Sequence, residues 1–325
     1  MEAELKTLQQ AIQYFSDPDN CHSFLMERRF PDGVTCPRCG SKEVRFISTR
    51  RLWECKTKHP KRQFSVKVNT IFEESPIGLD KWLMVVWMIA NCKNGISSYE
   101  IHRAIGVTQK SAWFMLHRVR VALRIGTFHK LGDGPEGNNE VEADESFIGG
   151  KMRNMHKDRR ARFQADKGAA KTVVLGMLDR PRREIRAKVV PNVERKTLQD
   201  QILKEVKHGS KLYTDNAVAY DRVNWWYVHD VVDHSERYVN GRVHTNGLEN
   251  FWSLLKRNLR GTYVAVEPFH LDRYLDEQVF RYNNRGTKEE PMNDFARFDL
   301  ALRNVVGKRL TYKELTGKEG ETTPF

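Results

Sequence analysis

Four side chains between positions 36 and 59 have the types and spacing of a metal site. Cys36-Pro37-Arg38-Cys39-Gly40 sets two thiols two residues apart, and Gly40 frees the backbone so that both sulfurs can face one ion. Fifteen residues further on comes Cys55, with His59 beyond a three-residue gap, completing a tetrahedral Cys₃His set of the kind that holds structural zinc. A second group is acidic and dispersed: Asp144, Asp215 and Glu249. Carboxylates that converge from separate elements can hold two hard cations about 4 Å apart, one for the attacking oxygen of phosphodiester cleavage and one for the leaving oxygen. Glu249, Ser253 and Lys256 share one helical stripe, since i, i+4 and i+7 coincide at about 3.6 residues per turn, so an acid and a phosphate-reaching cation lie on one face. Taken singly, each group has a plainer reading. Asp144 and Asp215 can cap turns, the Glu249 stripe can be a solvated helix face, and Cys36 and Cys39 can be reduced buried thiols.

The elements that must position these groups follow from local pattern. Residues 44–48 and 51–54 alternate like two short strands, which is how a ribbon brings its two knuckles together. Cys21 and His22 are adjacent and badly placed to share one ion, and Cys92 sits in an apolar run; all three read as structural. From Gly78 the pattern turns helical and apolar all round, then breaks at Asn94-Gly95. Ser97 and Ser98 open a helix that closes at Gly106, and Thr108 caps another, the sequence of a helix-turn-helix. In that reading Thr108, Gln109, Lys110 and Ser111 offer side chains to base edges. An ordinary helical hairpin is the alternative, and the basic Arg118 and Arg120 of the second helix can equally be a solvated face.

The loop at 132–139 marks a boundary, after which residues 141–148, 172–178 and 185–190 read as three consecutive strands, 193–208 as a helix, and 211–215 as a strand that delivers Asp215 at its end. A meander, a helix and a further strand begin a ribonuclease H-like α/β layer, in which the acids meet if the first and fourth strands are neighbours. Alternation puts Glu142 and Ser146 on the face of Asp144 and turns Glu145 away. Residues 151–162 hold six Lys or Arg, Lys151, Arg153 and Arg159 among them, and 180–188 hold five; either run can be solvated, or the two can line a groove for DNA backbone. Trp225-Trp226-Tyr227 reads as core rather than as a base-stacking platform, and the chain closes with a helical stretch at 269–282 and a polar tail at 316–325.

Composition bounds the partner. With 55 Lys and Arg against 42 Asp and Glu the net charge is +13, a field that favours a polyanion, nucleic acid first. The longest apolar run, residues 82–90, is less than half the roughly 20 residues of a membrane helix, and the N-terminus is charged and amphipathic, so membrane and exported classes are excluded. Five cysteines are too few and too uneven for a disulfide framework.

The residues also carry a resemblance. Cys36-Pro37-Arg38-Cys39-Gly40, Gln63-Phe64-Ser65, the stretch 141–151, Tyr213-Thr214-Asp215 and the stretch 244–257 resemble, in the same order, the bacterial insertion-sequence transposases that join an N-terminal zinc ribbon to a DDE core. The resemblance implies an RNase H-like mixed sheet with flanking helices, preceded by the ribbon and the helix-turn-helix segment. It divides the chain into ribbon (1–70), helical DNA-binding region (71–130), catalytic domain (138–290) and C-terminal extension (291–325). It further implies that Asp144, Asp215 and Glu249 bind two Mg²⁺, for which Mn²⁺ can substitute, and that Lys256, with Arg257 beside it, contacts DNA phosphate. The implied partners are the element's terminal inverted repeats and target DNA, bound by a homo-oligomer in the cytoplasm at the nucleoid. Two positions depart from the family pattern. The second knuckle is Cys55-x₃-His59 where Cys-x₂-Cys is common, and because some members use Asn as the third catalytic residue, Asn246 rivals Glu249. The alternatives to a transposase are a transposase-derived DNA-binding regulator that no longer cuts, and a stand-alone nuclease.

Overall fold

The computed structural model describes residues 5–134, 138–149, 157–158, 161, 171–215, 218–232 and 243–317. They form two compact units, one from residues 1–125 and 284–325, the other from 126–283. Among the described residues no helix is long and apolar enough to cross a membrane.

In the first unit, α1 (Leu8–Phe15) opens on a Thr7–Gln10 capping box and α2 (Pro18–Arg29) on an Asp17 cap with proline in its first turn. Strands β1 (Val44–Ile47), β2 (Leu52–Cys55) and β3 (Gln63–Phe64) form a small antiparallel sheet in that order, with Val44 opposite Cys55. Helix α3 (Leu79–Asn91) is the centre of the unit: its residues 82–90 are all buried, as its all-round apolar sequence requires. The helix Asp294–Arg303 packs on α3, where Phe298 meets Phe15, Phe24 and Trp87 with ring centroids 5.1–5.8 Å apart. Helices α4 (Ser98–Ile105) and α5 (Gln109–Leu123) are joined through Gly106, whose φ of 62° is the left-handed conformation that ends α4.

The second unit is a five-stranded sheet. Strands β4 (Glu140–Ile148), β5 (Thr172–Asp179) and β6 (Glu184–Val190) make the antiparallel meander. Helix α6 (Arg195–Glu205) crosses over to β7 (Lys211–Asp215), which pairs parallel with β4, and β8 (Val228–Val232) pairs parallel with β7. The order β6-β5-β4-β7-β8 is that of an RNase H-like sheet, with the first and fourth strands as neighbours. One face packs Leu198 and Ile202 of α6 against Val141, Ala143, Leu175 and Leu212. The other packs Leu248, Phe251, Trp252 and Leu255 of α7 (Asn246–Gly261), with Leu271 and Leu275 of α8 (Leu271–Asn283), against Val174, Leu178 and Ile185.

Candidate active site and metal centre

The parallel register of β4 and β7 pairs Glu140 with Lys211, Val141 with Leu212 and Glu142 with Tyr213. The pairing ends there, and Asp144 and Asp215 each lie two residues further along their own strands, near enough that the charge of Asp215 acts on the Asp144 carboxyl. Alternation then assigns faces: Val141, Ala143 and Leu212 belong to the α6 side, so Asp144 and Asp215 both belong to the α7 side. Glu145 falls on the opposite face, where its carboxylate lies beside the hydroxyl of Tyr220, a residue of the α6-side core.

Helix α7 is attached by apolar burial and registered by polar contacts. Leu248, Phe251, Trp252, Leu255 and Leu259 are buried, each worth about 1.5–3 kcal/mol, but such burial is non-directional. Direction comes from two hydrogen bonds to β4. The indole Nε1 of Trp252 donates to Asp144 Oδ2 at 2.9 Å, and the amide of Leu248 donates to Glu142 Oε2 at 2.9 Å. Each contact needs a glycine. A Cβ at Gly176, opposite Asp144 on β5, would lie 2.6 Å from the Trp252 ring, and one at Gly247 would lie 2.9 Å from Glu142 Oε2. The other oxygen of Glu142 accepts from Arg180 Nε at 2.7 Å. Arg180 in turn donates to the carbonyl and, at 2.8 Å, to Nδ1 of His244, and lies over the Tyr213 ring. Glu249, one residue after Leu248, is thereby held at the start of a helix fixed to the strand of Asp144. Asn246, one turn earlier, is exposed, as are Glu249 and Arg257; Lys256 is half-buried.

The electrostatics record the convergence. Burial pushes the Asp144 carboxyl up to about 6, and the charges of Asp215 and Glu249 push the same way against the Trp252 donor. Burial likewise lifts Glu145 to about 7, with the charges of Asp215 and Asp144 adding to it. This cluster of like charges is the environment a divalent cation neutralises.

Cys36, Cys39, Cys55 and His59 have ligand atoms all within 4.8 Å of one another. Cys39 Sγ lies 3.6 Å from Cys55 Sγ, and Cys36 Sγ 3.4 Å from His59 Nε2; a tetrahedron with Zn–S bonds of ~2.3 Å needs sulfurs ~3.8 Å apart, so the donor set fits zinc. His59 Nδ1 lies 2.7 Å from the Pro60 carbonyl, which fixes the ring and leaves Nε2 for the metal. Burial opposes the thiolate at Cys36 and Cys55, but donors outweigh it: the amides of Arg38 and Cys39 for the first, the Cys39 thiol and the Thr57 amide for the second. The Cys-x₃-His knuckle therefore closes the site as Cys-x₂-Cys would.

The other expected residues are placed less simply. Thr108 caps α5 through the amide and hydroxyl of Ser111, Gln109 donates to Ser98 Oγ at 2.9 Å, and the Lys110 ammonium lies 4.7 Å from the Tyr312 ring centre. Thr108, Gln109 and Ser111 cap and join the α4–α5 pair, and of the four expected residues Thr108 and Lys110 are exposed. Arg118 and Arg120 do not form the solvated face expected of them: they are 4% and 1% exposed, Arg118 donating to the carbonyls of Leu310 and Glu73. Lys151, Arg153 and Arg159 lie outside the described residues. Glu142, Arg180 and Trp252 were missed as site residues. Alternation put Glu142 on the face of Asp144, but no local signal marks a strand acid as the cap of a helix about a hundred residues away.

Comparison with known proteins extends the geometry. A model of the transposase zinc-ribbon domain matches residues 16–57, and one of the ISXO2-like transposase domain matches residues 136–283. An uncharacterized protein in transposable element ISH50 of Halobacterium salinarum is 27% identical over 288 residues, covering 83% of this chain and 94% of that one. An uncharacterized transposase-like protein of Haemophilus influenzae is 34% identical over 103 residues, 31% of this chain and 83% of that one. The catalytic core domain of BIV integrase aligns with 47% of this chain and 90% of its own at 10% identity, with a TM-score of 0.29.

Proposed function

The chain belongs to the insertion-sequence transposases that carry a zinc ribbon and an ISXO2-like transposase domain, and on that premise we propose that it cuts and joins DNA at the ends of its element. The reaction is hydrolysis of a phosphodiester to free a 3′-OH, followed by in-line attack of that hydroxyl on target DNA, with no covalent enzyme intermediate. The observation that carries this reading is that Asp144 and Asp215 each follow by two residues the parallel pairing of their strands, with the Asp144 carboxyl raised to about 6 by burial and by the charges of Asp215 and Glu249. Two Mg²⁺ ions, bound there, would polarise the attacking and leaving oxygens. Asp144 and Asp215 would hold them, Glu249 would complete the set from α7, and Lys256 would meet substrate phosphate two turns along the same helix. Trp252 orients the Asp144 carboxylate through its indole donor. The ribbon and the helix-turn-helix bind DNA, with Thr108 and Lys110 exposed at the start of the second helix.

The test is cleavage by the full chain of a labelled duplex that carries the element's own end, with Mg²⁺ or Mn²⁺. Asp144→Ala and Asp215→Ala should each lower the rate by orders of magnitude while DNA binding persists. Glu249→Ala should abolish cleavage where Asn246→Ala leaves substantial activity; the opposite ranking transfers the third role to Asn246. A parent protein that binds the end and never cuts it is a regulator, and the enzyme reading then fails.

A further inference from the structure

The segment between β7 and β8 carries a feature that the metal chemistry does not use. Beyond Asp215 opens a cleft of about 270 Å³, lined by Asp215, Tyr220, Arg222, Asn224 and His229 among others. Residues 225–227 were expected to be core together, and they divide. Tyr227 is buried and Trp226 packs against the α6-side core, but Trp225 is 68% exposed. Trp226 meets Trp225 edge to face with centroids 5.9 Å apart, so the exposed indole is braced by a packed one. The Arg222 guanidinium lies 5.7 Å from the Trp225 ring centre, its backbone in the left-handed region at φ 68°. The neighbouring Asp221 does not neutralise it, being paired with Arg195 at 3.0 Å, and among the described residues Arg222 has no carboxylate partner.

We propose that Trp225 and Arg222 form a platform for one unpaired nucleotide of the DNA strand beside the scissile phosphate, the base stacking on the indole and a flanking phosphate meeting the guanidinium. Its place beside the scissile phosphate rests on the reading of Asp215 as a metal ligand. The chemistry fits on three counts. Every base has a π face, so an exposed indole binds it whatever the sequence. An unpaired cation over that ring supplies the phosphate contact. The cleft beside the platform, which Arg222 lines and Trp225 does not, presents Asp, Asn, Arg and His groups that suit the heteroatoms of a nucleotide, whereas the centre of a protein interface is apolar and depleted in charge.

Oligonucleotide duplexes carrying 2-aminopurine, either in a short single-stranded 3′ overhang or within the paired region, test this with the full chain and no added divalent cation. The overhang probe should be quenched on binding and the paired probe should not. Trp225→Ala should abolish the quenching and weaken overhang binding about tenfold while duplex binding holds, and Trp225→Phe should restore both in part. Arg222→Ala should weaken overhang binding and flatten its salt dependence. Quenching that survives Trp225→Ala overturns the proposal. So does an equal loss on both probes accompanied by a smaller mass in light scattering, which gives Trp225 to a contact with a second copy of the chain. Asp215→Asn separates the two readings: it should keep the quenching and lose cleavage, and if it cuts as the parent does, the metal reading fails while the platform stands or falls on its own fluorescence.

Discussion

Glu142 Oε2 accepts the amide of Leu248 at 2.9 Å, so a carboxylate on the central strand caps a helix whose own N-cap, Thr245, makes no side-chain cap. Negative charge is favoured at that helix end, and Arg180, held by the other oxygen, ties the arrangement to the end of β5.

Glu142→Ala removes the cap, worth ~1 kcal/mol, and strips Arg180 of its close carboxylate, so we expect a loss of about 2–4 kcal/mol in chemical denaturation. Because Glu249 follows Leu248 directly, the Mg²⁺ concentration for half-maximal cleavage should rise as well. Glu142→Gln keeps an acceptor for Leu248 and should fall between parent and Ala on both measures. Unchanged Mg²⁺ dependence in a destabilised Ala variant would reduce Glu142 to a stability role.

Gly176→Ala places a methyl group 2.6 Å from the Trp252 ring, which has no flexible end to move aside. The indole must shift and its bond to Asp144 lengthen. We expect a loss of 1–3 kcal/mol, typical of overpacking at about one added methyl, with cleavage reduced roughly tenfold. Normal turnover in this variant would show that Trp252 does not orient Asp144.

The acid cluster sets a pH dependence. Asp144 rises from its ordinary 3.8 to about 6 and Glu145 from 4.5 to about 7, both chiefly by burial. An acid whose pKa is raised on folding contributes stability below its unfolded value and loses it as pH rises through the folded one. Metal-free protein should therefore lose stability between about pH 4 and pH 7 on account of these groups. Asp144→Asn should raise Tm by ~3 °C at pH 7.5 and leave it unchanged at pH 4. Added Mg²⁺ should stabilise the parent more at pH 7.5 than at pH 5, since the cations need the ionised carboxylates. Equal Mg²⁺ shifts at both pH values would contradict the assignment.

Purified chain should contain about one zinc ion, and Cys36→Ser or Cys55→Ser should abolish it. Loss of the ion should unfold the small sheet of β1, β2 and β3, read as new amide exchange there, while β4 to β8 keep their protection. Metal analysis that finds no zinc in protein prepared without chelator would reject the site.

Short-range chemistry was legible in the chain itself. The Cys36, Cys39, Cys55 and His59 set needs only a hairpin to close, and the caps at Ser97 and Thr108 act within three residues. The meander and the helix from Asn246 show their periods locally, and with them the RNase H-like class. What the tertiary structure decided is which distant partner each group meets. Helix periodicity leaves Arg118 and Arg120 open as a basic surface, yet Arg118 is buried with its guanidinium donating to carbonyls 192 and 45 residues away. Pattern alone puts Trp225 with Trp226 in the core, but the 3₁₀ turn buries Val223, leaves Trp225 exposed and brings Trp226, half-buried, against the α6-side core. Asp144 and Asp215 carry no mark of their proximity; the pairing of β4 with β7 supplies it, and backbone hydrogen bonding across a sheet depends on which strand lies alongside rather than on either strand's own residues.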